Sequence, residues 1–170
     1  MGGVALNIKN AESACSVVNQ MHEKFSKQAI DYHGIMVSEM VPKGLEMMIG
    51  ANRDATFGPI TVSGLGGVMV EILKDAVFNT CPVSVEDAAL SLKNLKNTRL
   101  VEGYWINSKY DFRSFRGQPA LNKQLFASYT SSISRIMHEC PQVSEIDINP
   151  LIQSHDGSMT AVDSVFRLKH

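Results

Sequence analysis

The sequence has little charge of either sign in excess: 16 basic and 17 acidic residues leave a formal net charge of −1 over 170 residues. That balance gives no electrostatic reason to expect a nucleic acid or another polyanion as partner. No apolar run approaches the roughly 20 residues that a membrane-spanning helix needs. The residues after Met1 do not follow the basic-then-apolar order of a secretory leader. Cysteine is scarce. Cys15, Cys81 and Cys140 are far apart and odd in number, which fits neither a disulfide framework nor a metal-type spacing. A reduced, cytoplasmic setting with buried thiols is expected. The five histidines are scattered, and internal repeats and low-complexity tracts are lacking.

What is present fits a globular protein, with 44% hydrophobic and 19% charged residues. The length suggests one domain, or one and a fragment of another. Residues 57–71, FGPITVSGLGGVMVE, stand out. Two apolar runs at 60–62 and 68–72 read as strands around a loop with Gly64, Gly66 and Gly67. Glycines there serve either a hairpin turn or a backbone laid bare for an anion or another chain.

Upstream, residues 4–8 alternate like a strand, directly after Gly2-Gly3, so the chain reads as starting inside a larger domain. Asn10 caps an expected packing helix from Ala11 to about Lys27, with Ala14, Val17, Val18, Met21 and Phe25 on one face. Residues 33–40 and 45–51 read as strands, separated by Val41-Pro42-Lys43-Gly44. Strands this close in sequence are expected to pair antiparallel. After Cys81-Pro82, Ser84 caps a helix running to about Leu95. Residues 97–120 read as a partly irregular, aromatic-rich segment. A helix follows over 121–138, with Leu125, Tyr129, Ile133, Ile136 and Met137 inward. A hairpin closes the chain: 143–151, a turn at Asp156-Gly157, and 159–168.

Some polar residues sit in apolar contexts. In Glu145-Ile146-Asp147-Ile148-Asn149-Pro150, strand alternation places Glu145, Asp147 and Asn149 on one face, and Asp163 lies across the turn. Oxygen donors from Asp147, Asn149 and Asp163 suit a hard divalent cation such as Mg²⁺. A solvent-facing polar strand would look the same. Glu39, beside the main chain of Met40 and Val41, could accept a hydrogen bond from the amino group of a base. Glu46 could accept from sugar hydroxyls. A surface carboxylate at a strand end is the plain alternative for each.

Taken together, Val37-Ser38-Glu39-Met40, Gly44-Leu45-Glu46, Arg53-Asp54 with Phe57-Gly58-Pro59, Gly64-Leu65-Gly66-Gly67 with Glu71, and Asp147-Ile148-Asn149-Pro150-Leu151 with Ala161-Val162-Asp163 resemble one family. It is the ATP-grasp domain of NDP-forming acyl-CoA synthetases, which include ADP-forming acetyl-CoA synthetases and relatives of the succinyl-CoA synthetase β subunit. The same domain occurs in Pat-type protein acetyltransferases. The resemblance covers nearly the whole chain. It implies an α/β fold of the α+β type: a C-terminal ATP-grasp lobe over 33–170, largely antiparallel sheet with packed helices, and a remnant of the N-terminal lobe over 1–32.

The resemblance also implies ATP or another NTP and Mg²⁺ as cofactors. Glu39 and Met40 would receive adenine and Glu46 the ribose. Asn149 and Asp163 would hold the metal, with Asp147 a weaker third. Gly64, Gly66, Gly67 and Glu71 would form a phosphoryl-transfer loop that admits the swinging histidine segment. The family's gripping lysine, phosphohistidine, CoA-binding and ligase parts have no counterpart in this sequence, so no catalytic residue is nominated. Expected partners are those CoA-binding and ligase domains or an α subunit, with a small carboxylic acid and CoA as substrates of the whole enzyme; an oligomer is compatible with this. A non-catalytic sensing or interaction module of a Pat-type acetyltransferase is the other reading. Asn122 stands where many relatives carry Asp, and Phe115-Arg116-Gly117-Gln118-Pro119 matches an Arg-Gly-x-Pro motif.

Overall fold

The centre of the fold is β1 (Leu45–Asp54), which alternates between core and opposite face: Met47, Ile49 and Ala51 are buried, while Glu46 and Asn52 are exposed. In the computed structural model, β1 is hydrogen-bonded on both sides. β2 (Gly58–Leu65) flanks one edge and β6 (Val143–Gln153) the other, both antiparallel. The structure describes residues 3–97, 104–105, 112–113 and 120–169, without the side chains of Val68, Met69, Glu71, Tyr104, Trp105, Phe112 and Arg113. The Arg116-Gly117-Gln118-Pro119 motif and most of the aromatic segment lie outside the described residues.

The chain forms two units, Met1–Val41 and Pro42–His170. The first is built on α1 (Ala11–Lys27), whose bounds match the cap-and-period reading. The Asn10 side chain accepts from the Ser13 N–H at 2.8 Å, and the Ser13 hydroxyl faces the Asn10 N–H in return. Together they satisfy donors that a helix start leaves unpaired. The expected packing face is only partly covered, with Met21 alone buried. Tyr32 folds back edge-on against Phe25 and hydrogen-bonds His22. The strands expected over 4–8 and 33–40 are not formed. Both stretches are irregular chain without a ladder among the described residues, with Asn7 in the left-handed region at φ 62°, and Leu6, Met36 and Val37 are exposed. Alternation favours a strand only where a neighbouring edge takes up its backbone groups.

The second unit is a six-stranded antiparallel sheet with helices on one face. After β2 comes α2 (Val68–Leu73), where a second strand was expected. The chain turns at Gly67, with φ 58° and ψ −143°, and Lys74 closes the helix in the left-handed region. Five apolar residues around Glu71 fit either element by pattern alone. The sheet resumes with β3 (Ala76–Thr80) on β2, an element the pattern reading did not separate. Ser84 caps α3 (Val85–Ser91) as expected, accepting the Asp87 N–H at 3.0 Å, and a 3₁₀ turn (Leu92–Asn94) follows. Short strands β4 (Tyr104–Trp105) and β5 (Phe112–Arg113) pair with each other.

The long helix α4 (Lys123–Glu139) starts at Asn122, whose side chain accepts the Leu125 N–H. That capping role accounts for an Asn or an Asp at this position. Phe126, Ala127, Thr130, Ile133, Ser134 and Met137 are its buried residues. Ile133 and Met137 were expected there. Tyr129 is 36% exposed and Leu125 and Ile136 are only half-buried, so the true face is rotated from the expected one. Phe126, Ile133 and Met137 pack with Met47, Ile49, Leu65, Ile146 and Leu151 in one core.

The last strand is interrupted. β7 (Met159–Ala161) pairs with the C-terminal end of β6, and β8 (Ser164–Leu168) with its N-terminal part. Asp163 lies in the break. The break answers an irregularity in β6. Met47 pairs with Leu151 but Ile49 with Ile148, so Asn149 and Pro150 together stand opposite Met48. One extra residue in a strand is a β-bulge, and Pro150 has no N–H to give a ladder. The bulge reverses the alternation, so Ile148 and Leu151, three apart, both reach the core.

Polar side chains fasten the helices to this sheet. Arg53, from β1, donates to the Met137, Cys140 and Val143 carbonyls, at 2.5, 2.9 and 2.7 Å. It thus occupies carbonyls at the end of α4 that have no helical partner. Gln153, buried in β6, holds the start of the same helix by accepting the Asn122 N–H and donating to the Ala120 carbonyl. Asp75, 6% exposed, accepts from the Lys96 and Asn97 N–H groups and the Asn97 carboxamide, at 2.7 to 2.9 Å.

Arg53→Ala is expected to lower the unfolding free energy by roughly 2–3 kcal/mol, measured by urea denaturation, because it strands partly buried carbonyls. A loss under about 0.5 kcal/mol, the range of an ordinary surface change, would show that other donors replace it. Asp75 also sets a pH dependence. Burial alone would raise its carboxyl, but the bonds from Lys96 and Asn97 outweigh burial and hold it below the usual value. Its contribution is therefore present above the unfolded carboxyl's pKa and fades as pH falls through the lower folded value. Asp75→Asn is expected to be less stable than the parent at pH ~7, with the two stability curves converging below about pH 4. Parallel curves would contradict this.

Candidate functional site

The sheet has two unlike faces. Helix α4 covers one. On the other, residues paired across the ladder share the surface, so Gly50 lies beside Asp147 on one side and Val62 on the other. A Cβ on Gly50 would press on the Val62 side chain at 2.7 Å. Met48 pairs with Gly64 in the same way. Glycine at 50 and 64 keeps this floor low and lets the strands beside it stay close.

Three of the expected oxygen donors come together around the β6 bulge. Asp147, half-buried, precedes it, Asn149 is in it, and exposed Asp163 is in the β7–β8 break that faces it. The Asn149 N–H donates to the Asp163 carbonyl at 3.2 Å, and the Val162 N–H to the Pro150 carbonyl at 3.0 Å, which ties the break to the bulge. Burial, then the charges of Glu145 and Asp163, push the Asp147 carboxyl above its ordinary value. Glu145 is paired with Arg167 at 3.2 Å, while among the described residues Asp147 and Asp163 show no ion pair, and carboxylates that repel one another in this way suit a bound cation. Among the described residues no three His, Cys, Asp or Glu side chains cluster as a metal site. Two carboxylates and the Asn149 carboxamide make a sparse oxygen set. Such a set fits Mg²⁺, which keeps several waters and takes few protein ligands.

The glycine loop meets this cluster. It is a strand-to-helix junction and no hairpin. The Gly67 N–H donates to Asn149 Oδ1 at 2.9 Å. The Gly66 N–H donates to the Glu46 carbonyl at 2.8 Å, and a Cβ on Gly66 would collide with the backbone of Met47. The Glu46 carboxylate lies against Gly67, where a Cβ would strike it. Glu46 is exposed at the start of β1. Gly64 is pressed against the Asp75 carbonyl, where a Cβ would approach to 2.5 Å, so it serves strand packing. The Glu71 side chain lies outside the described residues. Glu39 and Met40 belong to the first unit, exposed on chain without regular secondary structure.

Pattern reading located Asp147, Asn149, Asp163, Glu46 and the glycines but missed how they meet. The bulge had a signal: a proline inside a strand pattern marks an edge or a bulge. The bond between Gly67 and Asn149, 82 residues apart, had none.

Residues 1–168 match the ATP-grasp domain family. The β subunit of the ADP-forming acetate–CoA ligase I of Pyrococcus furiosus is 33% identical over 165 residues, covering 96% of this chain and 66% of that protein. A trans-feruloyl-CoA synthase from an unknown prokaryotic organism is 31% identical over 167 residues, 96% of this chain and 22% of that one. Among solved structures, the dinucleotide-forming acetyl-coenzyme A synthetase 1 of Ca. Korarchaeum cryptofilum, bound to coenzyme A and Mg-AMPPCP, superposes with a TM-score of 0.79 at 30% identity. It covers 99% of this chain and 68% of that one. The chain thus spans about two thirds of the β subunit and about a fifth of the longer synthase.

The raised Asp147 carboxyl has a consequence for stability. A carboxyl whose folded pKa lies above its unfolded value favours the fold at low pH and opposes it once ionised. Asp147→Asn is expected to raise Tm at pH ~7 without added metal, with the gain shrinking as pH falls through the carboxylate range near 4. A lower Tm for the variant at neutral pH would show that ionised Asp147 has an attractive partner.

Proposed function

The chain belongs to the ATP-grasp domain family, and on that premise we propose that it is the Mg-nucleotide-binding part of an ADP-forming acyl-CoA synthetase. The observation that carries this reading is the oxygen cluster at the β6 bulge, Asp147 and Asn149 with Asp163 opposite, on the glycine-floored face of the sheet. A solved relative with this fold holds Mg-AMPPCP, and the donor set here is chemically suited to the same cation.

In this proposal residues 33–170 form the C-terminal lobe and 1–32 a remnant of the N-terminal lobe. Glu39 and Met40 receive the adenine, the carboxylate accepting from its amino group. Glu46 accepts from the ribose hydroxyls. Asn149 and Asp163 hold Mg²⁺, with Asp147 a weaker third. When bound, the cation would neutralise charge on the phosphoryl group. The chain's own contribution is to fix the donors before the nucleotide arrives, so that little reorganisation remains when charge moves. Gly64, Gly66, Gly67 and Glu71 border the place where a phosphate-carrying segment from outside this chain enters. That segment, CoA, the carboxylic acid and the CoA-binding and ligase parts, or an α subunit, belong to the complete enzyme. A cytoplasmic setting fits these substrates, and no described helix is long and apolar enough to cross a membrane.

In the complete enzyme, Asn149→Ala and Asp163→Ala are each expected to cut acyl-CoA formation by about 10²-fold or more and to weaken Mg-nucleotide binding by calorimetry. Unchanged turnover in both would overturn the site assignment. Mg-ATP binding by the parent without any acyl-CoA formation would point instead to a non-catalytic sensing module.

A further inference from the structure

We propose that Gly67 is a positioning residue that sets Glu46 and Asn149 together, so that the sugar end and the cation end of the site are coupled through one backbone atom pair. This rests on the roles assigned above to Glu46 and Asn149 and adds a link between them that neither role requires.

The geometry singles out this glycine. Its N–H is bonded to Asn149 Oδ1 at 2.9 Å. A donor at that position requires the oxygen of the carboxamide, and not its NH₂, to face it. The oxygen keeps a second lone pair for a cation. The N–H therefore selects the orientation in which Asn149 can act as a ligand. The backbone at Gly67, φ 58° and ψ −143°, belongs to glycine alone. The missing side chain is what the Glu46 carboxylate occupies, and the Glu46 carbonyl is held by the next N–H back, that of Gly66. Any shift of Glu46 is thus transmitted to Gly67, and any shift of Gly67 to Asn149. Two sites that bias one element affect each other's ligands reciprocally.

Gly58 supplies the control. It also has positive φ, +74°, but a Cβ there meets nothing within 4 Å. Gly67→Ala and Gly58→Ala both strain a turn, and only the first disturbs Glu46 and Asn149.

Mn²⁺ binding to the chain is followed by electron paramagnetic resonance with and without ATP, alongside thermal melts and amide hydrogen exchange by NMR. Gly67→Ala is expected to raise the Mn²⁺ dissociation constant about tenfold or more, as loss of an outer partner of a metal ligand does, and to remove the mutual tightening of Mn²⁺ and ATP. Gly58→Ala is expected to lower Tm and leave Mn²⁺ affinity within about twofold. In Asn149→Ala, the Gly67 amide is expected to exchange about tenfold faster than in the parent, since a freed hydrogen bond exposes it. This readout needs neither metal nor a folded Gly67 variant. If Asn149→Ala or the parent shows no specific Mn²⁺ effect, the cation reading itself is wrong. If Asn149→Ala loses Mn²⁺ while folded Gly67→Ala binds like the parent, or if Gly67 exchange does not respond to Asn149→Ala, the coupling is overturned and the cation reading stands.

Discussion

The arrangement of this protein depends on one extra residue in one strand. Asn149 and Pro150 stand opposite Met48 alone, and the alternation of β6 reverses at that point. Without the bulge, the strand that sends Ile146 and Ile148 into the core would send Pro150 there next and turn Leu151 outward. With it, Leu151 joins the same core as Ile148. The carboxamide of the displaced Asn149 then reaches the loop after β2. The broken edge strand follows from the same irregularity, and the break carries Asp163.

The division of labour between the two faces follows from this. Apolar residues of β1, β2 and β6 are committed to α4, and Arg53 and Gln153 fasten the two ends of that helix. The opposite face is freed from core duty and can hold groups that a core would reject. Asp147 is such a group. Its carboxyl is half-buried beside other acidic residues, and its raised pKa marks a local cost that the packed face must offset. Proteins commonly tolerate such strain where a ligand will relieve it.

The sequence was legible where one local signal decided the outcome. Asn10 followed by a helical apolar period fixes α1 to the residue, because a cap and a period agree. Ser84 likewise marks the start of α3, although the α-helix ends at Ser91 and a 3₁₀ turn takes the chain on toward Leu95. It was illegible where the deciding partner lay elsewhere. Residues 33–40 carry a strand pattern but form no ladder among the described residues. Residues 68–72 are apolar enough for a strand, but Gly67 turns the chain before the ladder can continue, and they coil into α2. On α4, the bulky Tyr129 and Ile136 suggested the inner face, yet the small residues Ala127, Thr130 and Ser134 are the ones pressed inward. Ser134 accepts the Val83 N–H at 3.0 Å, a bond to a loop that periodicity cannot anticipate.

The site shows the same limit. Its residue types were readable because aspartate and asparagine alternating with isoleucine are costly in a buried strand unless they serve a ligand or face water. Their mutual arrangement was not readable. FGP with GLGG and DINP with a later Asp look in sequence like separate weak motifs, and each has an ordinary structural reading. In space the glycine loop and the asparagine are one unit, joined by the bond from the Gly67 N–H to Asn149 Oδ1. That bond alters what the glycines are for. Gly64 is consumed by packing against the start of β3, and Gly66 by its closeness to Met47. Only Gly67 has its N–H directed at a side chain and its missing Cβ replaced by a carboxylate. The loop is held at two of its three glycines by close backbone packing, and at the third by contacts with two side chains, Asn149 and Glu46.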